Sequence, residues 1–449
     1  MIKNFFLIFP LVSLLLFNCS FDSKSGIWSE GEKEKERISE LEKKQRQIVE
    51  KRKILSSENI YSEEKNLNKK IILTKAKRNS SWLMAGLNHQ NNLGNIYLPS
   101  IEKKFLKKKV GKNKFDLSKN IFPPLIYKDN IILSDDKGTI FLVDSRGKIL
   151  WKTNIYKKVY KKIYKNLNFS INKNLIYVAD NIGFIYSIDL NTGKPIWIKN
   201  HGVPFKSFTK VFKNNIFLIN QDNRLLCFST KDGSIVWDLR TVKSFIKSYF
   251  FLHPAVSKNE DIVSLNSSGD LFKINGENGR VYWSVNVAES LFTHATDFFK
   301  SSAIVISENE VIFSTASKFF SYNLENGNRN WEKNLGTTGS PILDGPNIFF
   351  ITDNGYFVIM ERSSGEIISS TNILKVLKKK RRNTSITGYI LGSEKIYAVT
   401  LNGYLIVSSA ISGKVEYYKN IGDRITVAPI ISNGKLYILS ESSRIIGFN

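Results

Sequence analysis

The residues with which this chain of 449 could do chemistry are few: four histidines, two cysteines and scattered carboxylates. His89, His201, His253 and His294 are far apart, and none sits in the H-E-x-x-H spacing that puts two imidazoles on one helical face toward zinc. "TTGSPILDG", Thr337–Gly345, holds a serine without the G-x-S-x-G spacing of a nucleophile elbow. "DDKG", Asp135–Gly138, lacks the remaining oxygen ligands of a calcium loop. Cys227 lies inside the apolar run "RLLCF" and reads as a small core hydrophobe. No catalytic residue, metal ligand or cofactor is assigned on this pattern.

Chemistry of another kind is more plausible. The formal net charge is +26, and three basic runs stand out: Lys103–Lys114, Lys157–Lys165 and Lys375–Arg382. Such runs attract nucleic acid, anionic lipid or an acidic protein surface, and they are equally compatible with a solvated face whose single charges are screened. The stretch "SYFFLHP" brings Tyr249, Phe250 and Phe251 together. These are candidates for a partner-facing patch, with packing inside the fold as the alternative.

The elements that must position these residues repeat. "DSRGKILW" (Asp144–Trp151), "DLNTGKPIW" (Asp189–Trp197), "STKDGSIVW" (Ser229–Trp237), "NGENGRVYW" (Asn275–Trp283) and "NLENGNRNW" (Asn323–Trp331) are one motif. "ERSSGEIIS" (Glu361–Ser369) and "SAISGKVEY" (Ser409–Tyr417) keep its glycine and lose its tryptophan. The glycines at 147, 193, 233, 279, 327, 365 and 413 set a period of 38 to 48 residues, the signature of a propeller or another array.

Before each motif the chain reads strand, tight Asp/Asn/Gly turn, strand, as in "LIYVADNIGFIYSID". Pro124, Pro254, Pro341 and Pro429 mark entries into first strands, where proline loses no ladder bond. Each period is therefore about four antiparallel strands, one propeller blade. The second strand recurs eight times, around Ile131, Ile176, Ile216, Ile262, Ile312, Ile348, Ile396 and Leu436, whereas the glycine turn recurs seven times before the chain ends at "RIIGFN". An all-β, eight-bladed propeller of four-stranded blades follows, its last blade closed by an N-terminal strand, with the segment around Trp82 ("NSSWLMAGLNHQ") expected in that role. Gly147, Gly193, Gly233, Gly279, Gly327, Gly365 and Gly413 supply positive φ, and Trp82, Trp151, Trp197, Trp237, Trp283 and Trp331 fill wedges between blades. Five equivalent tryptophans around a ring argue for packing rather than for ligand stacking.

Residues 1–18 read as an export signal: Lys3, an apolar run too short for a bilayer span, then Cys19 in "LFNC". That stretch resembles a bacterial lipobox, with Asn18 where a small residue is usual, and Ser20 resembles the sorting position of outer-membrane lipoproteins. Lipid on Cys19 would leave no disulfide within the chain. Residues 19–78 form a charged, partly helical spacer; Ile38, Leu41, Ile48 and Leu55 fall at heptad-compatible positions with Gln45 and Arg52 between them, so a solvated tether and a docking helix both remain open. Residues 79–449 form the propeller. Export makes nucleic acid a poor partner.

The G-x-x-x-W outer strand resembles the pyrroloquinoline-quinone-type propeller repeat, and with the lipobox, spacer and eight blades the whole resembles the BamB-type family of outer-membrane protein assembly lipoproteins. The resemblance implies a non-enzymatic scaffold, a monomer within a complex, anchored by lipid to the inner leaflet of the outer membrane and facing the periplasm. It implies binding to a BamA-type barrel-assembly protein, with unfolded outer-membrane proteins as further partners. The family carries acidic residues in a mid-ring loop where this chain has Tyr249 and Phe251, so those contact residues are not carried over. The rival readings are a lipoprotein for another envelope partner and a quinoprotein-like enzyme. The latter resembles sites with a vicinal cysteine pair above the quinone, which this chain lacks.

Overall fold

The protein is described by a computed structural model over residues 34–43, 61–113, 122–241, 252–287, 300–379 and 383–449. Eight sheets of four antiparallel strands follow one another around a ring. Blade 1 comprises Leu125–Tyr127, Asn130–Ser134, Ile140–Val143 and Ile149–Thr153. Blades 2 to 7 begin at Leu167, Lys210, Ala255, Val305, Ile342 and Ile386, each adding its strands outward in chain order. First strands of neighbouring blades touch one another, as Lys210–Phe212 does with Leu167–Asn172 and Ala255–Val256, so they line the axis.

Burial follows radial position. Second and third strands lie between two neighbouring blades and are apolar on both faces: Asn347–Ile351 is buried throughout, as is Ile140–Val143. Fourth strands are edges and read largely exposed, as in Ile149–Thr153 and Ile235–Leu239. In blades 1 to 7 the register between third and fourth strands shifts by one residue beside the glycine turn, as between Cys227 and Phe228.

The motif glycine answers two demands, of which the sequence showed one. Gly193 has φ +71°, and a Cβ there would lie 2.7 Å from the ring of Trp151 in the preceding blade. Gly233, Gly279, Gly327 and Gly365 meet Trp197, Trp237, Trp283 and Trp331 in the same way. Each indole Nε1–H then donates to a carbonyl of the next blade: Trp151 to Leu190 at 2.9 Å, Trp197 to Thr230 at 3.2 Å, Trp237 to Gly276 at 2.9 Å, Trp283 to Leu324 at 3.0 Å and Trp331 to Arg362 at 2.9 Å. The glycine turn and the tryptophan are thus two halves of one joint between blades. Gly413 meets Ser369 at the corresponding joint, where the tryptophan is missing.

Blade 8 combines both ends of the described chain. Ile430–Ser432, Lys435–Leu439 and Arg444–Phe448 supply three strands, and Lys104–Lys109 supplies the fourth, pairing Lys104 with Phe448 and Lys109 with Arg444. This corrects the expectation for Trp82. Its segment does not close the ring: Trp82 pairs with Ile126 on the first strand of blade 1, near the axis. At the closing joint the place of the tryptophan goes to Leu106 and the methylenes of Lys108, which pack over Gly147.

Candidate functional site

Antiparallel order puts the turns after first and third strands, including the glycine turns, on one face of the ring. The turns after second strands and the long connections between blades lie on the other, the loop face. Tyr249, Phe250 and Phe251 belong to the connection from blade 3 to blade 4 and lie outside the described residues, as do Cys19 and His294. The run Lys157–Lys165 falls in the connection from blade 1 to blade 2 and contains a short 3-10 turn at Lys158–Tyr160, with Tyr160 buried beneath exposed lysines. In Lys375–Arg382, Lys375 pairs with Glu64 at 3.0 Å.

The tether is not wholly free. Residues 34–43 form a helix whose Ile38 and Leu41 join the core cluster of blades 1, 2, 7 and 8. Arg37 donates through Nη1 to the carbonyls of Ile182 and Gly202, both on the loop face of blade 2, and pairs with Glu34. The Tyr160 hydroxyl donates to Glu34. Farther along, residues 61–70 reach the outer edge of blade 6: Lys65 exchanges two backbone hydrogen bonds of 2.9 Å with Ser370, and Ser370 Oγ donates to the Glu63 carbonyl.

From there the chain turns inward: residues 72–81 cross, largely exposed, the turns after the first strands of blades 6, 8 and 1, and residues 82–98 pack at the axis. Together they meet the first strand of every blade or its flanks. Trp82 pairs with Ile126 of blade 1, and Met84 bridges Ser170 of blade 2. Val256 of blade 4 donates to the His89 carbonyl at 2.8 Å, and Ile306 of blade 5 to that of Gln90 at 2.9 Å. The Asp344 carboxylate of blade 6 accepts from the Thr74 N–H at 2.7 Å and from the Asn95 N–H at 3.3 Å. Ile96 bridges Gly392 of blade 7, and Asn79 Nδ2 donates to Ile431 of blade 8 at 2.8 Å. Blade 3 contributes Lys210, whose ammonium is buried and donates to the carbonyls of Ala85 (2.7 Å) and Asn88 (3.0 Å) and to Asn91 Oδ1 (2.5 Å).

That axial cluster is strongly perturbed electrostatically. Burial lowers the Lys210 amino group to about 7. His89 stands edge-on to Phe212 and is lowered to about 4, by burial and then by Lys210. His253, against Phe208 at 4.0 Å, is lowered to about 3 for the same two reasons. Both imidazoles are therefore neutral at pH 7. A second cluster lies under the loop face of blade 2. Asp180 accepts the N–H groups of Ile182, Gly183 and Phe184 and the hydroxyl of Tyr156, yet burial still raises its pKa. Burial likewise lowers Lys165 to about 8. These groups tie turns together.

Sequence reasoning passed over Lys210, Asp344 and the axial segment. The only signal was an apolar stretch with no place in the repeat, Ile71, Ile72, Trp82, Leu83 and Met84. The residues present do not fit a quinone and its metal. Cys227 is buried in a strand with its thiol pushed up to about 12, the axis is filled by the chain itself, and among the described residues no group of three His, Cys, Asp or Glu is placed to hold a metal ion. No helix among them is long and apolar enough to cross a membrane.

An eight-bladed ring of four-stranded sheets sewn by glycine–tryptophan joints is a β-propeller. The solved fold it shares includes BamB from Moraxella catarrhalis, at TM-score 0.62 and 13% identity over 77% of this chain and all of that one. A europium-containing methanol dehydrogenase shares it too, at TM-score 0.63 and 10% identity over 80% of this chain and 89% of that one. Residues 136–371 match the family model described as outer membrane protein assembly factor BamB, and the chain belongs to that family. It is also similar to the outer membrane protein assembly factor BamB of Moranella endobia (strain PCIT), 24% identical over 183 residues. That match covers 39% of this chain and spans 44% of the length of the relative.

Proposed function

We propose that the chain is a non-catalytic scaffold of outer-membrane protein assembly, binding the periplasmic part of a BamA-type barrel-assembly protein and assisting insertion of outer-membrane proteins. The observation that carries this reading is the family match over residues 136–371, on a ring whose axis is packed with its own residues 82–98. A ring filled in this way has its outer edges and loop face left for recognition. Lipid on Cys19 would hold the ring at the inner leaflet, facing the periplasm, with residues 19–78 as tether and 79–449 as propeller. The loop face is the favoured contact, because Thr241 and Leu252, the described ends of the connection that holds Tyr249–Phe251, lie there. Co-purification tests the reading: the tagged, lipidated protein is solubilised mildly from its own envelope and its partners are identified by mass spectrometry at low and moderate salt. Recovery of the barrel-assembly protein at moderate salt is expected. Recovery of other envelope proteins alone would overturn the assignment.

A further inference from the structure

The strand that closes the ring is also a one-sidedly charged edge. On Lys104–Lys109 only Leu106 is buried, and Lys104, Lys107, Lys108 and Lys109 are exposed. Lys103 and Lys112 flank it in the open, and the neighbouring edge of blade 1 adds Arg146, Lys148 and Lys152. No carboxylate of a described residue pairs with any of these cations, although elsewhere on the ring Lys69, Lys273, Lys318, Lys395 and Arg362 all have acidic partners. The acids nearby are Glu102, which is exposed, Asp144, whose carboxylate accepts from the N–H groups of Arg146 and Lys148 and feels their charges, and Asp135, whose carboxylate accepts from the N–H of Lys112. Beside the lysines the blade 1 edge exposes Ile149 (43%) and Leu150 (49%). Cations flanking a small apolar ridge are the composition of a surface that lies against lipid headgroups.

We propose that this edge, where blade 8 meets blade 1, docks on an anionic bilayer face. The chain outside the described residues points to that occupant. The helix described over residues 34–43 is held against Tyr160 and Ile182 at the junction of blades 1 and 2, one blade from the lysine edge. Fourteen residues lie between Cys19 and Glu34, a reach of at most about 54 Å. A lipid on Cys19 therefore holds the bilayer within range of this sector of the ring, and docking would set the orientation of the loop face relative to the membrane. The choice of a bilayer over other anions rests on the anchored reading of the tether. The edge itself does not.

The test uses the processed chain, residues 19–449, with Cys19→Ser so that no lipid can attach, sedimented with vesicles of phosphatidylcholine alone or mixed with phosphatidylglycerol. Binding is expected on the anionic vesicles only, and loss of it on raising salt well above about 0.15 M. The triple variant Lys104→Gln, Lys107→Gln, Lys109→Gln spares Lys108, whose methylenes pack at the ring closure. Each lysine near an anionic surface contributes about fivefold in partitioning, so on the order of a hundredfold loss is expected. Lys194→Gln, Lys199→Gln, Lys231→Gln, on the edges of blades 2 and 3, should change binding by less than about twofold. Equal losses in the two triple variants would reduce the effect to net charge and overturn the proposal. So would binding to inorganic phosphate or heparin with none to vesicles. Because the lipid-free chain is used without partners, failure here leaves the assembly-scaffold reading intact, and failure of the co-purification leaves this one intact.

Discussion

The joint between blades 1 and 2 makes a quantitative prediction. Gly193→Ala places a methyl group 2.7 Å from the Trp151 ring at a residue with φ +71°. Positive φ costs an alanine about 1 kcal/mol, and overpacking a well-filled site adds about 1–3 kcal/mol. Gly422→Ala is the control for the first contribution alone, since it has φ +87° and no atom within 4 Å of the added Cβ. Trp151→Ala removes a half-buried indole and its 2.9 Å hydrogen bond to Leu190, for about 2–3 kcal/mol. In the double variant the clash has nothing to strike, so the two effects should fall short of additivity by about 1–3 kcal/mol. Urea unfolding followed by far-ultraviolet circular dichroism on the four proteins, wild type, two singles and the double, gives the cycle. Additivity within about 0.5 kcal/mol would mean that the glycine is needed for its backbone alone and that the blade joint is wrongly described.

Three further perturbations probe the axis and the tether. The folded amino group of Lys210 titrates near 7 against 10.5 when exposed, so between these values the unfolded chain holds the extra proton. Stability should then rise from pH 7 to 10.5, by at most about 5 kcal/mol, and Lys210→Met should flatten that rise; parallel urea-midpoint curves for the two proteins would contradict it. Asp344→Ala strips the carboxylate that accepts from Thr74 and Asn95, and about 2–4 kcal/mol should be lost together with amide-exchange protection in residues 72–98. Unchanged exchange there would place the anchoring elsewhere. Arg37→Ala should make residues 34–43 a site of rapid limited proteolysis while shifting global unfolding by less than about 1 kcal/mol, because the bonds it breaks join the tether to the ring and not blade to blade.

The repeat was legible because every blade needs the same joint, and a joint made from glycine and tryptophan leaves a mark that survives divergence. Where the joint was built differently, legibility ended. Trp82 looked like the missing tryptophan, but a large flat residue also suits the packed axis, and nothing in the neighbouring residues separates the two. The true closing strand, "KFLKKK", buries one side chain out of six and so shows neither alternation nor a tryptophan. The axial segment pairs through isolated bridges to many strands, with no period for a sequence reader to detect. Lys210 follows "SFT" in an ordinary-looking strand opening; its burial depends on a segment more than a hundred residues earlier. The helix at 34–43 was half-legible, in that Ile38 and Leu41 share a face, but only the loop face of blade 2 explains why that face is covered.

The closing sheet also fixes a schedule for biogenesis. Lys104–Lys109 is made more than three hundred residues ahead of its partner Arg444–Phe448, so the strand meant to seal the circle must wait while those residues emerge. Contacts so distant along the chain are slow to form, and an unsealed edge invites wrong partners in the meantime. A premature stop that removed only the final strand would spare seven complete blades, yet it would leave the eighth without the strand on which Lys104–Lys109 docks. Such a truncation should behave as an opened clasp, prone to proteolysis and aggregation, rather than as a slightly smaller ring.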